Sequence, residues 1–364
     1  MSLRTMVLAM LGFWALASQA GELTSDSSKY QSFVPHRLLP LLHAPEVHDE
    51  LKLSKQQVSE LESLFAEVDG PWFQSRIQPQ QKQYAILDSL ERQLNQWLAK
   101  KTTTGQRKRL KQLELQAQGA RMFLRVDLAR ELKLDSEQTN RFGELAGLTE
   151  TASAALHKAT SAGQPSDELQ SQAIAAAKVE QEAIKSVLNT EQQQRLWKIL
   201  GEPFDLSKLS RVHPMGPEFV AGGGWLNSSP LTLKGLRGKV VLVHFYAFQC
   251  HNCHANFDIY RRWHEQLKDK GVVVIGIQTP ETARERNLDE VRAAAEERKL
   301  TFPILFDLES ANWKAWGNTM WPTVYVVDKN GYLRHWWQGE LNWKGATGDK
   351  SIEQVVELAL KERS

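Results

Sequence analysis

The stretch KVVLVHFYAFQCHNCH, residues 239–254, decides the fold of the C-terminal part of the chain. Residues 239–246 form a nearly continuous apolar run, which is typical of a strand buried on both faces of a sheet. Residues 255–268 have the apolar spacing of a helix. The order of strand, cysteine pair and helix places Cys250 and Cys253 between the end of a buried strand and the start of a helix.

Outward from this stretch, strand and helix patterns alternate towards the C-terminus. Apolar runs predict strands at 272–277, 303–306, 323–327 and 332–337, and amphipathic spacing predicts helices at 288–298 and 352–360. This alternation predicts a central mixed β-sheet with helices on both faces.

The N-terminal half has a different pattern. From about residue 49 to residue 206 it is rich in Leu, Gln, Ala, Lys and Glu, and its apolar residues recur at helical spacing. Gly and Pro predict breaks between helices at 69–71, 102–105 and 161–165. This half is therefore predicted to be α-helical.

The length of 364 residues suggests two domains rather than one. The changes in composition predict a signal peptide at 1–20, an α-helical domain at 21–206, a linker and lead-in at 207–229, and an α/β domain at 230–364. The linker is marked by loop-forming residues, among them the three glycines at 222–224.

Three short motifs in the helical half share a leucine, a helix-capping residue and a glutamine three positions after it. They are Leu53-Ser54-Lys55-Gln56-Gln57, Leu134-Asp135-Ser136-Glu137-Gln138 and Leu188-Asn189-Thr190-Glu191-Gln192. The simplest interpretation is three ordinary helix starts. The pattern also resembles the LTxxQ motif of the small periplasmic stress proteins related to CpxP and Spy. That resemblance implies a domain that binds misfolded client proteins, and a helical scaffold or docking domain is the alternative.

Residues 1–20 have the three parts of a secretory signal. Arg4 precedes an apolar run at 6–17, and Ser18-Gln19-Ala20 forms a cleavage site of small residues. The run is shorter than the roughly 20 apolar residues that a bilayer requires. The sequence therefore predicts an exported protein, periplasmic or otherwise extracytoplasmic, with an uncleaved membrane anchor as the alternative.

The overall composition excludes one class of partner. The formal net charge is only +2, from 45 basic and 43 acidic residues, and no basic run carries interleaved aromatic residues. Such a charge balance provides little field to attract a polyanion, so we expect no nucleic-acid partner.

Cys250 and Cys253 are the only two cysteines of the chain, and they are spaced C-x-x-C. No cysteine is left for a separate structural disulfide, so this pair is predicted to be reactive. A helix N-terminus stabilises an anion and can lower the pKa of a cysteine to about 3.5–7.5. We therefore expect Cys250 to attack a disulfide and Cys253 to resolve the mixed disulfide.

His254 extends the motif to C-x-x-C-H, which is also the signature of covalent c-type haem attachment. In that interpretation His254 is the proximal ligand and Met320 is a candidate distal ligand. The strand and helix around the motif favour redox chemistry instead. A zinc site is not indicated, because no second pair of ligands has a suitable spacing. The sequence thus predicts neither a cofactor nor a metal.

From about residue 217 the chain resembles the thioredoxin-like domains of the TlpA and DipZ type. The resemblance rests on Pro217-Glu218-Phe219, Gly224-Trp225-Leu226-Asn227, LTLKGLRGKVVLVHFYAFQCHNC (231–253) and TMWPTVYVVDKNG (319–331), which follow one another in the expected order. It covers about two fifths of the chain. It implies a C-terminal thioredoxin-like domain, with a central mixed β-sheet flanked by helices, after the N-terminal α-helical domain.

The same resemblance implies a cis proline that lies against the cysteine pair. Pro322 matches that position, which makes it a candidate catalytic residue beside Cys250 and Cys253, and its neighbours Trp321 and Thr323 are candidate supporting residues. A cis X-Pro bond removes a donor and turns the chain so that a backbone edge can pair with an extended substrate. A trans proline at the start of a strand is the alternative.

Two positions near the pair depart from familiar patterns, and a third, between the cysteines, carries a histidine. His244 stands where thioredoxins carry a buried Asp, and Asn256 stands where TlpA-type reductases often carry Glu. His244 is therefore a candidate for proton transfer to or from Cys253, with a hydrogen-bonded core histidine as the alternative. His251 is a candidate for stabilising the Cys250 thiolate, which would make the pair more oxidising, and a solvent-facing side chain is the alternative.

Together these features predict an exported thiol-disulfide oxidoreductase that acts on disulfide-bearing protein substrates. The TlpA-like pattern favours the reductase direction, with electrons from a separate donor protein for which a membrane-bound protein is one candidate. The chief alternative is a helical client-binding or envelope scaffold protein whose cysteine pair acts as a redox sensor.

Overall fold

The computed structural model describes residues 27–161 and 166–362. The predicted signal peptide lies outside these residues. The chain divides into two compact units, the first comprising Met1–Leu64 and Gln78–Val212 and the second Phe65–Ile77 and His213–Ser364. The change from one unit to the other after Val212 falls within the predicted linker at 207–229.

The first unit is built from α-helices, as the sequence predicts. They are α1 (Leu38–His43), α2 (Pro45–Glu50), α3 (Lys55–Ser75), α4 (Gln80–Lys101), α5 (Thr104–Gln118), α6 (Val126–Leu132), α7 (Ser136–Ser161), α8 (Asp167–Val187) and α9 (Thr190–Leu200), with the last part of α3 in the second unit. The core of the first unit includes Phe123 and Phe142, whose rings stack with centroids 4.4 Å apart. Across 27–161 and 166–362, no helix is long and apolar enough to span a membrane.

The three leucine, cap and glutamine motifs form capping boxes, and a fourth box lies at the start of α5. In each box the cap side chain accepts a hydrogen bond from the glutamine amide, and the glutamine side chain accepts one from the cap amide. The pairs are Ser54 with Gln57, Thr103 with Gln106, Asp135 with Gln138 and Asn189 with Gln192. The glutamines also bond to one another, Gln57 to Gln106 at 3.2 Å and Gln138 to Gln192 at 2.8 Å. The motif therefore joins helix starts in pairs.

The helix break predicted at 69–71 is wrong, because α3 continues through Pro71. A proline inside a helix costs about 3 kcal/mol or more, since it lacks an amide donor and its ring crowds the preceding turn. The next two residues, Trp72 and Phe73, are buried, and their burial offsets this cost. The break predicted at 102–105 is confirmed by the end of α4 and the start of α5.

The second unit contains a mixed sheet, as predicted, and the sheet has six strands, of which the short first one was not predicted. Its strands are β1 (Trp225–Leu226), β2 (Val240–Tyr246), β3 (Val272–Gln278), β4 (Ile304–Phe306), β5 (Thr323–Val327) and β6 (Leu333–Gln338), in the order β1-β4-β3-β2-β5-β6. The pairs β2–β3 and β3–β4 are parallel, and the other pairs are antiparallel. The chains that leave β2 and β3 therefore emerge at the same edge of the sheet.

Helices cover the sheet and explain why β2 is apolar throughout. They are α10 (His251–Leu267), α11 (Leu288–Glu297), α12 (Ala311–Ala315) and α13 (Gly348–Lys361). Residues of α10, α11 and α13 pack with Val240, Leu242 and Tyr246 on one face of β2. Val243 and Phe245 point to the other face, where they share a second apolar cluster with Trp316 and other residues. Every residue of β2 is consequently buried.

Residues 65–77 belong to the second unit, and Phe73 packs in this second apolar cluster, although the sequence predicts that all of 21–206 belongs to the helical domain. The ring centroid of Phe73 lies 6.0 Å from that of Tyr325. The Arg76 guanidinium donates to the Tyr325 hydroxyl at 3.1 Å. Helical spacing predicts that α3 has an apolar face but not which surface that face covers. The domain ranges stay a prediction.

Candidate active site

The two cysteines lie where the chain passes from β2 to α10, as the sequence predicts. Cys250 is the residue that caps the N-terminus of α10, and its side chain is half-buried. Cys253 lies in the first turn of the helix and is fully buried in the core under β2. The Cys253 amide donates to the Cys250 carbonyl at 3.1 Å. One thiol is thus accessible to a partner, and the other is protected beneath it.

The two thiols have opposite pKa shifts. The pKa of Cys250 is lowered, chiefly because the Cys253 thiol donates a hydrogen bond to it. The amides of Cys253 and Asn252 act in the same direction, whereas burial and the negative charge of Glu281 oppose them. Burial raises the pKa of Cys253 far above its usual range, and the bond to Cys250 and the charge of Glu281 add to this. Cys250 is therefore the better nucleophile of the pair.

The histidines of the motif occupy different surroundings. His251 is exposed at the start of α10, and its ring centroid lies 6.5 Å from that of His254. The His254 Nε2 forms a hydrogen bond with the Phe248 carbonyl at 2.6 Å. The charged side chain that affects the pKa of Cys250 is that of Glu281 rather than that of His251. Thiolate stabilisation by His251 stays a prediction.

This geometry does not favour haem attachment. The Nε2 atom of His254, which could ligate iron, is engaged by a backbone carbonyl. A thioether at Cys253 would have to form on a sulfur that has no exposed surface. Within the described parts of the chain, no group of three or more His, Cys, Asp or Glu residues is arranged to hold a metal ion.

Pro322 lies at the start of β5, and the Trp321–Pro322 peptide bond is cis, as the resemblance implies. Thr323 is buried and pairs with Phe245 of β2, which ends just before the cysteines. Trp321 packs against the same core cluster as Cys250 and Cys253. The fold thus brings the predicted residues 321–323 and the cysteine pair to one region. Their parts in catalysis stay predictions.

His244 is fully buried on the face of β2 that carries α10. Its ring stacks on Tyr260 with centroids 4.0 Å apart, and neither ring nitrogen has a hydrogen-bond partner among the residues that the structure describes. Burial lowers the pKa of His244 to about 3. Gly276 on β3 is paired with His244, and a Cβ atom at Gly276 would come within 3.1 Å of the His244 Nε2. The imidazole is therefore neutral, and its proposed proton transfer to Cys253 stays a prediction.

Asn256, at the position where TlpA-type reductases often carry Glu, makes structural hydrogen bonds. Asn256 is buried, its Nδ2 donates to the Tyr260 hydroxyl at 3.3 Å, and its Oδ1 accepts from the Leu341 amide at 2.9 Å. The pKa of Tyr260 is raised, first by burial and also by the charge of a Cys253 thiolate. Asn256 therefore joins α10 to the chain before α13 instead of supplying an acid.

Two acidic residues that lie near the pair were not predicted from the sequence. Glu285 is fully buried, and its carboxylate accepts the amide of Gln249, the residue before Cys250, at 2.7 Å. Glu281 lies on the same loop after β3 and is exposed. The parallel pairing of β2 and β3 is the signal that could have indicated them, since it brings this loop to the sheet edge where Cys250 lies.

Comparison with known proteins supports the resemblance of the C-terminal part. A family model described as AhpC/TSA family matches residues 217–336. DipZ of Mycobacterium tuberculosis is 39% identical over 143 residues, which are 38% of this chain and 20% of that protein. The chain thus spans about a fifth of the length of these curated relatives.

Two Bacillus subtilis proteins are matched over most of their length. Thiol-disulfide oxidoreductase YkuV is 27% identical over 146 residues, which cover 40% of this chain and 94% of that protein. Thioredoxin-like protein YneN is 30% identical over 134 residues, which cover 36% of this chain and 72% of that protein. The similarity therefore includes an almost complete small protein and lies within two fifths of this chain.

Proposed function

The chain belongs to the thioredoxin-like family, and on that premise we propose that it catalyses thiol-disulfide exchange with protein substrates through Cys250 and Cys253. The observation that carries the proposal is the asymmetry of the two thiols. A half-buried thiol with a lowered pKa stands at a helix N-terminus above a buried thiol with a raised pKa. The match to nearly the whole of a protein named as a thiol-disulfide oxidoreductase supports the same activity.

In the reductase direction, the Cys250 thiolate attacks one sulfur of a substrate disulfide. The substrate S–S bond breaks, a disulfide forms between Cys250 and the substrate, and the other substrate sulfur leaves and takes up a proton. Cys253 then loses its proton and attacks the Cys250 sulfur. A Cys250–Cys253 disulfide forms, and the second substrate sulfur leaves as a thiol. Two electrons and two protons pass to the substrate in total.

We favour the reductase direction on the TlpA-like pattern of the sequence. The charge of Glu281 acts in the same sense, because it adds to the raised pKa of Cys253 and partly opposes the lowered pKa of Cys250. A negative charge near the pair disfavours the thiolate form of the reduced protein and so makes the pair a stronger reductant. The disulfide must be reduced again by a separate donor protein, for which a membrane-bound protein is one candidate.

We assign the rest of the substrate site to Trp321, Pro322 and Thr323. Trp321 is partly buried, stacks on Trp313 with centroids 4.1 Å apart, and packs on the core beside Cys250. Met320, which precedes this segment, is 39% exposed. An extended substrate segment would lie along this stretch while its disulfide faces Cys250.

Export is part of the proposal and rests on the sequence of residues 1–20. In a host with a secretory pathway, the protein should be recovered outside the cytoplasm and begin after Ala20. Cell fractionation with sequencing of the mature N-terminus tests this. A protein that stays in the membrane with residue 1 intact would support the uncleaved anchor.

A second function, binding of client proteins by the first unit, is favoured by one observation. Leu148 on α7 and Ile174 and Val179 on α8 are apolar, yet they are 60%, 54% and 50% exposed. Replacing these three residues with Glu should abolish suppression of client aggregation and leave disulfide reduction intact. If the triple variant keeps both properties, this candidate function loses its support.

The catalytic proposal is tested with the full-length protein and a substrate protein that contains disulfides. The wild type should accelerate reduction of that substrate by dithiothreitol. Cys253→Ser should accumulate a mixed disulfide through Cys250, which dithiothreitol releases, and Cys250→Ser should form none. Failure of the wild type to accelerate reduction, together with absence of the trapped species, would contradict the proposal.

A further inference from the structure

The loop that leaves β3 is fastened to the chain that enters the cysteine pair by one buried carboxylate. The Glu285 Oε1 accepts the amide of Gln249 at 2.7 Å. Its Oε2 accepts the amides of Glu281 and Thr282 at 2.7 and 2.8 Å. A buried carboxylate is costly unless its oxygens are hydrogen-bonded, and these three amides meet that need.

A second bond joins the same two segments. The Thr282 hydroxyl donates to the Gln249 side-chain oxygen at 2.6 Å. Glu285 and Thr282 therefore both hold the residue that directly precedes Cys250. The turn at 281–282 is fixed next to the reactive cysteine by side chains rather than by pairing of strands.

We propose that Glu285 is a positioning residue for thiol-disulfide exchange, and that it holds the exposed carboxylate of Glu281 beside Cys250 and Cys253. The inference rests on the proposed function and goes further, because it identifies the residues that set how strongly the pair reduces its partners. The two acids come from the loop after β3, whereas neither of the positions expected from the family resemblance, His244 and Asn256, carries an acid.

The electrostatics agree with this geometry. The charge of Glu281 opposes the lowering of the Cys250 pKa and adds to the raised pKa of Cys253. The charge of Glu285 contributes to the raised pKa of Tyr246, whose chief cause is burial. The titratable side chains around the pair include Tyr246 on β2, His251, His254 and Tyr260 on α10, and Glu281 and Glu285 on the loop.

The test compares Glu281→Gln, Glu285→Gln and the double variant in the full-length protein. The pH dependence of Cys250 alkylation by iodoacetamide and the equilibrium with dithiothreitol are measured for each. Glu281→Gln removes a negative charge, so the alkylation midpoint should fall in pH. The equilibrium should shift towards the reduced protein by about threefold, or ~15 mV, since a tenfold change corresponds to about 30 mV.

Glu285→Gln should shift both readouts in the same direction. The NH2 group that replaces one carboxylate oxygen cannot accept hydrogen bonds, so one side of the carboxylate contact is lost and the turn that carries Glu281 is released. The double variant should then match Glu281→Gln instead of showing the sum of the two shifts. Because Glu281 is exposed, its effect should also shrink at 1 M salt, where the screening length is about 3 Å.

Glu218→Gln is the matched control. The Glu218 carboxylate also accepts three backbone amides, those of Phe219, Leu233 and Lys234, at 2.8, 2.6 and 3.0 Å. Leu233 belongs to the apolar cluster on the face of the sheet opposite Cys253. This variant should lose stability without moving the alkylation midpoint or the equilibrium.

Wild-type readouts in Glu285→Gln, or shifts that add fully in the double variant, would overturn the positioning role. If Glu285→Gln does not fold, Thr282→Val removes the second bond and should give a smaller shift of the same sign, and no shift would overturn the inference. A wild type that exchanges no disulfides would instead refute the proposed function. Active wild type with unshifted variants would refute only the positioning role.

Discussion

The N-terminus of α10 and the capped N-termini of the first unit hold short motifs at the same kind of position, but they use it in opposite ways. At α5 and α9, cap oxygens and glutamine side chains satisfy the free amides of the first turn. At α10 the capping position is Cys250, and no side-chain cap bond is formed. There the Cys253 thiol, and with it the amides of Cys253 and Asn252, lower the pKa of the Cys250 thiol. A capped helix start is committed to structure, whereas an uncapped one can stabilise an anion.

This difference separates two motifs that look equally informative in the sequence. The leucine, cap and glutamine motif is accounted for by hydrogen bonds within the first unit, so its residues need no ligand to explain them. The cysteine pair is not accounted for in this way. Cys250 is partly accessible, and its thiol interacts with the Cys253 thiol and with nearby amides.

The largest effect is expected when the N-terminus of α10 is given a capping side chain. Cys250→Ser places a hydroxyl at the capping position, where an oxygen acceptor is worth about 1 kcal/mol. Disulfide reduction should fall to the uncatalysed background, while the free energy of unfolding in urea should rise by roughly that amount. Cys253→Ser is the control, because it buries a hydroxyl in an apolar core and should lower stability. A Cys250→Ser protein that is less stable than the wild type would contradict the idea of an uncapped end.

The next prediction concerns His244, a buried base, and whether disulfide exchange at the N-terminus of α10 depends on it. Its pKa is lowered to about 3, against about 6.5 in an unfolded chain. Between these values the unfolded state binds a proton that the folded state does not, so stability falls by about 1.4 kcal/mol per unit as pH decreases from 6.5. Urea unfolding of His244→Leu should lack this part of the pH dependence.

Exchange activity of His244→Leu near neutral pH distinguishes the two roles of the residue. A packing role predicts activity within about threefold of the wild type, because the neutral ring has no bond to either cysteine. A drop of a hundredfold or more at pH 7, with the fold retained, would assign proton transfer to His244.

The smallest expected effect is at the capped ends. Gln138→Ala removes the side-chain half of the capping box, in which the Asp135 amide donates to Gln138, and the bond to Gln192, which should cost about 1–2 kcal/mol. The double variant with Gln192→Ala should cost less than the sum of the two, since both lose the same bond. Neither change should alter the equilibrium of the cysteine pair with dithiothreitol. A shift there would show that the two kinds of helix start are not independent.

Much of the second unit could be predicted because its signals are local. The apolar run at 239–246 indicates a strand that is buried on both faces, and the cysteines directly after it mark the start of α10. The position of Pro322 followed from the family resemblance. The acids near the site could not be predicted in this way, since Glu285 reaches Gln249 across 36 residues and only the pairing of β2 with β3 brings them together.

In the N-terminal half, one local signal gave a wrong prediction and another was interpreted incompletely. Pro71 suggested a break, but the burial of Trp72 and Phe73 keeps α3 continuous. The Thr-rich and Gly-containing segment 102–105 was interpreted only as a break, and the capping box at Thr103 was missed because a leucine does not precede it. Turn-forming residues and capping residues overlap, so composition alone does not distinguish them.

The central claim is that Cys250 is the accessible, acidified thiol and Cys253 the protected one. Alkylation of the reduced native protein across a pH series, with each cysteine followed by mass spectrometry, tests it most directly. Cys250 should react with a midpoint below that of an ordinary cysteine, and Cys253 should stay unmodified until the protein unfolds. Equal modification of both cysteines with an ordinary thiol midpoint, or faster modification of Cys253, would contradict the account.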